Sequence, residues 1–114
     1  MEHYIVPVPK PRMTRADRWR KRPSVLRYFE YKDKVKLLEI AVPENGATVV
    51  FHMPMPKSWS KKKRAEMDGK PHQQKPDVDN LGKALLDAVY CDDACVWDIR
   101  FIKLWSVDGR ITLK

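Results

Sequence analysis

Cysteine is scarce in this sequence: Cys91 and Cys95 are the only two. That excludes a disulfide framework of the kind that holds small secreted domains together. Their Cys-x3-Cys spacing is at most half of a structural zinc site. A closed site needs four ligands, and only His3, His52 and His72 are left to complete it. Both cysteines are therefore expected to be reduced, partly buried thiols. Long apolar runs are missing too, with nothing near the roughly 20 residues that cross a bilayer. The first residues lack the charged, apolar and small-residue sections of a secretory leader. The expectation is a cytoplasmic protein with no membrane partner. Repeats and low-complexity linkers are absent, which leaves one domain over residues 1–114.

What the chain does have is basic charge, and it comes in blocks. The formal net charge is +8, with an isoelectric point near 9.6. Residues 1–75 hold 18 Lys and Arg against 8 Asp and Glu, whereas residues 76–114 hold 5 against 7. A basic surface beside a compact acidic cluster suits a polyanion with a cation between the two.

The order of elements follows from periodicity and punctuation. Tyr4 to Val8 alternate and read as a first strand. Pro7, Pro9 and Pro11 then break regularity, and a basic arm follows over residues 10–22. Arg15, Arg18 and Arg20 lie in that arm with Trp19 among them, a composition able to grip phosphates and stack on a base. Ser24 is placed to cap a helix reaching about Ile40, with Val25, Leu26, Phe29, Val35, Leu38 and Ile40 as its apolar stripe. Ala47 to Met53 reads as a strand. Ser58 precedes a short helix that carries Lys61, Lys62, Lys63 and Arg64 and stops at Gly69, and these cations are further candidates for backbone phosphate. A second strong helix spans about Asn80 to Val89, and Ala94 to Trp105 is a long strand. Asp108-Gly109 predicts a tight hairpin to a return strand from Arg110 to Leu113. Strand-helix-strand-helix-helix-strand-strand predicts an α+β domain, a mixed sheet covered by helices. Trp59, Trp97 and Trp105 are expected in the core or at an interface.

The chemistry is concentrated between Lys75 and Asp93. Asp77 and Asp79 are two apart, so extended backbone would put them on one side. Asp79 or Asn80 can then cap the helix. Lys83 is four residues after Asp79 and projects near the same end. Carboxylate oxygens are the hard ligands that Mg²⁺ prefers, and Mn²⁺ is possible in its place. A lysine beside them can stabilise charge on a phosphorane or position a water. His72 and Lys75, just upstream, are candidates for contact with the same phosphate.

Taken together, Asp77, Asp79, Asn80, Lys83, Asp87-Ala88 and Asp92-Asp93 resemble the signature of the RusA family of phage and bacterial junction resolvases. The run from Met55 to Arg64, and His72 with Lys75-Pro76, resemble the phage branch of that family. The resemblance implies a homodimer that binds four-way DNA junctions in recombination and repair. It implies Mg²⁺-dependent paired symmetric nicks leaving ligatable ends. It also implies Asp77, Asp79 and Asp93 as the metal-binding acids and Lys83 as the catalytic lysine. A two-fold protein with two sites suits a roughly two-fold junction that needs two cuts.

Three features depart from the pattern. The link from Ala88 to Asp92 is only Val89-Tyr90-Cys91, Ala94-Cys95 follows the doublet, and Gly82 interrupts the helix at up to about 1 kcal/mol against alanine. These leave Asp92 and Asp98 as alternatives to Asp93 for the third acid. Two other functions are compatible with the same residues. One is a DNA-binding protein without catalysis, which needs the basic segments but not the acids. The other is a nuclease of the same chemistry acting on other branched DNA.

Overall fold

A computed structural model describes residues 1–18 and 22–114, with Asp17 and Arg18 described by backbone alone. Trp19 and Arg20 of the expected DNA-gripping arm therefore lie outside the described residues. The fold is α+β, with helices on a four-stranded mixed sheet. In chain order the main elements are β1 (Glu2–His3), α1 (Pro23–Leu37), β2 (Asn45–Pro54), α2 (Lys61–Met67), α3 (Val78–Val89), β3 (Asp98–Ser106) and β4 (Arg110–Leu113). Two short 3-10 helices, Arg15–Arg18 and Asp93–Cys95, complete it. No helix among the described residues is long and apolar enough to cross a membrane.

The sheet order is β1-β4-β2-β3, with β2 at the centre. Side chains alternate across a strand, so Ala47, Val49, Phe51 and Met53 of β2 face one side, and all four are buried in the core. α1 and α3 cover that side. α1 contributes Tyr28, Tyr31 and Val35, and α3 contributes Leu81, Ala84, Leu85 and Ala88. Pro23 at the first turn presets the helical backbone of α1. Lys34 and Lys36 suit the negative end of its dipole.

Several expectations need correction. The first strand is only Glu2–His3, and Tyr4 to Val8 run without strand pairing. Pro7 removes a donor from within this run, and Pro9 and Pro11 remove two more just after it. α1 begins at Pro23, so Ser24 lies inside the helix and does not cap it. Its buried stripe is Val25, Tyr28, Tyr31 and Val35, while Leu26, Phe29 and Leu38 are exposed. The apolar bodies of the two tyrosines, with spacing of three, take the positions that the aliphatic residues were expected to fill. Ser60, not Ser58, caps α2, accepting from the Lys63 amide at 3.2 Å. Trp97 is 74% exposed and so is not a core residue, whereas Trp105 is buried. Cys91 and Cys95 are exposed free thiols.

The largest difference is topological. β3 and β4 do not pair as a hairpin: β3 lies parallel to β2 on one side, and β4 lies antiparallel to β2 on the other. Gly109 is not among the residues with positive φ, so the two-residue turn that would close a hairpin does not form. Gly109 serves close approach instead. A Cβ there would meet the Val6 side chain at 2.7 Å and its backbone at 2.9 Å.

Candidate active site

The acidic segment is placed from the free edge of β3. Residues 69–72 run along that edge: the Gly69 amide donates to the Trp105 carbonyl, the Trp105 amide to the Lys70 carbonyl, and the His72 amide to the Lys103 carbonyl. The edge is thus covered rather than left open. Lys103 then reaches across from β3. Its ammonium donates to the carbonyls of Gln74 at 2.6 Å and Pro76 at 2.7 Å. Burial lowers the pKa of this lysine, an effect partly opposed by the Asp77 carboxylate. Lys103 therefore clamps the backbone immediately before Asp77.

The residue that caps α3 is Asp77, in extended backbone and with no capping bond from its side chain. Neither Asp79 nor Asn80 caps the helix; both lie within its first turns. The extended geometry expected for Asp77 to Asp79 gives way to helix after Asp77. Asp77 and Asp79 are both exposed at the positive end of the helix dipole. The flank of α3 that meets β3 is packed so tightly at position 82 that any side chain there would require the Phe101 ring to move. A Cβ there would stand 2.4 Å from the Phe101 ring. The glycine that looks costly in the sequence lets α3 lie close against β3.

Lys83 leaves the exposed side of α3 with its side chain 46% accessible. Its ammonium donates to Asp93 Oδ2 at 2.6 Å and lies 3.2 Å from Asp87 Oδ1. These contacts, Asp93 first and then Asp87, hold the ammonium above the ordinary lysine value. Asp92 is used differently, since its Oδ1 accepts from the Ala94 amide at 3.0 Å and starts the second 3-10 helix. Asp93 is thus the member of the doublet that faces Lys83. Asp98 is exposed at the start of β3.

Asp87 belongs to the sequence signature but has no role assigned there, and Lys10 reads only as part of the basic arm; the fold brings both into the cluster. Asp87 Oδ2 accepts from Lys10 Nζ at 2.7 Å and from the Tyr28 hydroxyl at 3.3 Å. Burial alone would push the Asp87 carboxyl up, yet hydrogen bonds from Lys10 and Lys83 hold it below the usual carboxylate range. The spacing of four from Lys83 to Asp87 is readable as a helix pair. Nothing local marks Lys10, 77 residues away from Asp87, or Lys103 on another strand.

The other expected site residues fall into two groups. Lys61, Lys62 and Lys63 are exposed on α2, and Arg64 is partly buried. Lys63 lies 4.3 Å from the centre of the Trp59 ring, and Arg64 donates to the Pro56 carbonyl at 3.1 Å. Arg15 and Lys75 are exposed. His72, expected to be open to a phosphate, is instead buried, at 6% exposure, with its ring centre 4.1 Å from that of Trp105. Burial lowers its pKa and Lys103 adds to the effect, opposed in part by a backbone hydrogen bond.

The donor chemistry suits a hard divalent cation, since Asp77, Asp79 and Asp93 offer carboxylate oxygens. Among the described residues, however, no three His, Cys, Asp or Glu side chains are gathered so as to hold a metal ion. Mg²⁺ does not demand such a cage. It usually keeps several waters and is held by one or two carboxylates together with substrate phosphates. The residues therefore fit a cation that is completed by substrate.

Comparison with known proteins gives the family. The family model described as endodeoxyribonuclease RusA matches residues 5–114. Among curated proteins, the uncharacterized protein YqaN of Bacillus subtilis (strain 168) is 39% identical over 71 residues, covering 55% of this chain and 50% of that protein. The chain thus spans about half the length of this curated relative.

Proposed function

The chain belongs to the RusA endodeoxyribonuclease family, and from that premise we propose that it is a Mg²⁺-dependent endonuclease that resolves four-way DNA junctions. In this reading a homodimer places two sites on one junction and cuts it by paired, symmetric nicks, in DNA recombination and repair. The observation that carries the reading is the position of Lys83. It is held between Asp93 and Asp87 on the helix whose start carries Asp77 and Asp79, in a chain of net charge +8.

Asp77, Asp79 and Asp93, which are not gathered beforehand, would hold the cation together with substrate phosphates; when bound, it would polarise the scissile phosphate and lower the pKa of water. The chain's own groups supply the rest. Lys83 presents a full positive charge where negative charge develops on the phosphate. Lys103 fixes the backbone that leads to Asp77. The cations of α2, Lys61 to Arg64, together with Arg15 and Lys75, would contact phosphates of the arms and fix register without reading sequence. Arg18, Trp19 and Arg20 are included in that proposal from their place in the basic arm. Where the acids stand without a cation they repel DNA, so metal and substrate should bind cooperatively.

The test is cleavage of a labelled synthetic four-way junction beside a matched flap, fork, single strand and duplex, each with Mg²⁺, with Mn²⁺ and in EDTA. Metal-dependent paired nicks confined to the junction are expected. Preferential cutting of flaps or forks would keep the chemistry and overturn the substrate. Junction binding with no cutting in either metal would overturn the enzyme.

A further inference from the structure

We propose that Asp87 is the positioning residue for Lys83, and that Lys10 completes the anchor from the start of the basic arm. The inference rests on the nuclease reading above and goes beyond its acids and lysine. Asp87 is half-buried, and its carboxylate is held from three separate parts of the chain. Lys83 on α3 lies 3.2 Å from Oδ1, while Lys10 from the N-terminal segment and Tyr28 from α1 donate to Oδ2 at 2.7 and 3.3 Å. The Lys10 amide also donates to the Asn80 carbonyl at 3.3 Å, so its backbone is tied to the same helix. A surface pair four apart on a helix is weak and mobile. A carboxylate fixed by two further donors on different elements is not free to follow the lysine. The lysine must follow the carboxylate.

The two acceptors of Lys83 have different duties under this reading. Asp93 is one of the acids that would turn to a cation, and an oxygen shared with a cation holds an ammonium less well. Asp87 has no such second claim, so it keeps Lys83 in place when Asp93 is engaged. Reactive groups must be held closely, because a misplacement of about 1 Å can cost roughly a hundredfold in rate. The link through Lys10 also ties the root of the basic arm to the lysine at the centre.

The experiment uses the full chain as wild type, Asp87→Asn, Lys10→Met and the double variant. The first readout is the Nζ signal of Lys83 in ¹⁵N-lysine-labelled, metal-free protein, assigned by its loss in Lys83→Met. The second is junction cleavage, with kcat and binding measured separately. Asp87→Asn should shift or abolish the Lys83 signal and lower kcat by about tenfold or more, with junction Kd within about twofold of wild type. Lys10→Met should act in the same direction with smaller effect, and the double variant should be no worse than Asp87→Asn alone. An unchanged Lys83 signal in Asp87→Asn, or an unchanged kcat per folded molecule, would overturn the proposal. If Asp87→Asn does not fold, an unchanged Lys83 signal in Lys10→Met would overturn it equally. A wild type that cuts no branched DNA would sink the nuclease reading instead, and the metal-free signal would still decide whether Asp87 anchors Lys83.

Discussion

The ring of Phe101 occupies the space that any side chain at Gly82 would need, with its Cε2 atom 2.4 Å from where a Cβ would stand. In an isolated helix Gly82→Ala would add up to about 1 kcal/mol of stability. Here it forces an overpacked contact that costs about 1–3 kcal/mol. The expected outcome is a net loss in chemical denaturation, relieved when Phe101→Leu is added. A stabilised Gly82→Ala protein would show that α3 and β3 have room to move apart without cost.

Acid should weaken the fold partly through Asp87. Its carboxyl is held below the usual range by Lys10 and Lys83, against the opposing effect of burial. A carboxyl whose folded pKa is depressed contributes stability that is fully present above its unfolded value, about pH 4, and is lost as pH falls through the folded pKa. Melting temperature measured from about pH 6 down to about pH 2 should therefore fall less steeply in Asp87→Asn than in wild type. Parallel curves would show that the ion pairs at Asp87 contribute nothing to stability.

His72 offers a test between packing and DNA contact. Its ring is buried against Trp105, which in turn lies 4.8 Å, centre to centre, from the Trp59 ring. His72→Ala should cost about 1–3 kcal/mol in unfolding experiments, as expected for loss of a buried ring. Junction affinity measured well below the melting point should stay the same. Weakened binding at full stability would restore a phosphate-contact role.

The exposed lysines of α2 should behave in the opposite way. Replacing Lys61 and Lys62 by alanine should leave stability within about 0.5 kcal/mol. The slope of log affinity against log salt should shrink by roughly one for each phosphate that the variant no longer neutralises. Fluorescence anisotropy across a salt series reads this directly. An unchanged slope would place DNA elsewhere on the surface.

Much of the fold is legible in the sequence because the signals are local. β2 alternates along Ala47, Val49, Phe51 and Met53, and α3 carries an unbroken apolar face, so periodicity reveals both elements. The apolar stripe of α1 is harder to read, because Tyr28 and Tyr31, not Leu26 and Phe29, go inward. Tyrosine at helical spacing is ambiguous, since its ring is apolar and its hydroxyl is not. The crossing of β4 to the far side of β2 is invisible because a local Asp-Gly signal competes with a choice of partner strand that no local residue sets. For the site, the acids, Lys83 and the doublet stand out by spacing. Asp87 is legible as a member of that pattern, but its role is not, because only the fold brings Lys10 and Tyr28, far away in sequence, onto its carboxylate.

The most direct test of the account is Asp79→Asn compared with wild type on a four-way junction in Mg²⁺, with binding and nicking scored in the same samples. The account predicts that the variant binds the junction at least as well as wild type, having lost a repelling charge, and that paired nicking is abolished. Nicking that persists undiminished in Asp79→Asn, or a wild type that binds the junction and never cuts it, would contradict the claim that these acids form the active centre of a junction resolvase.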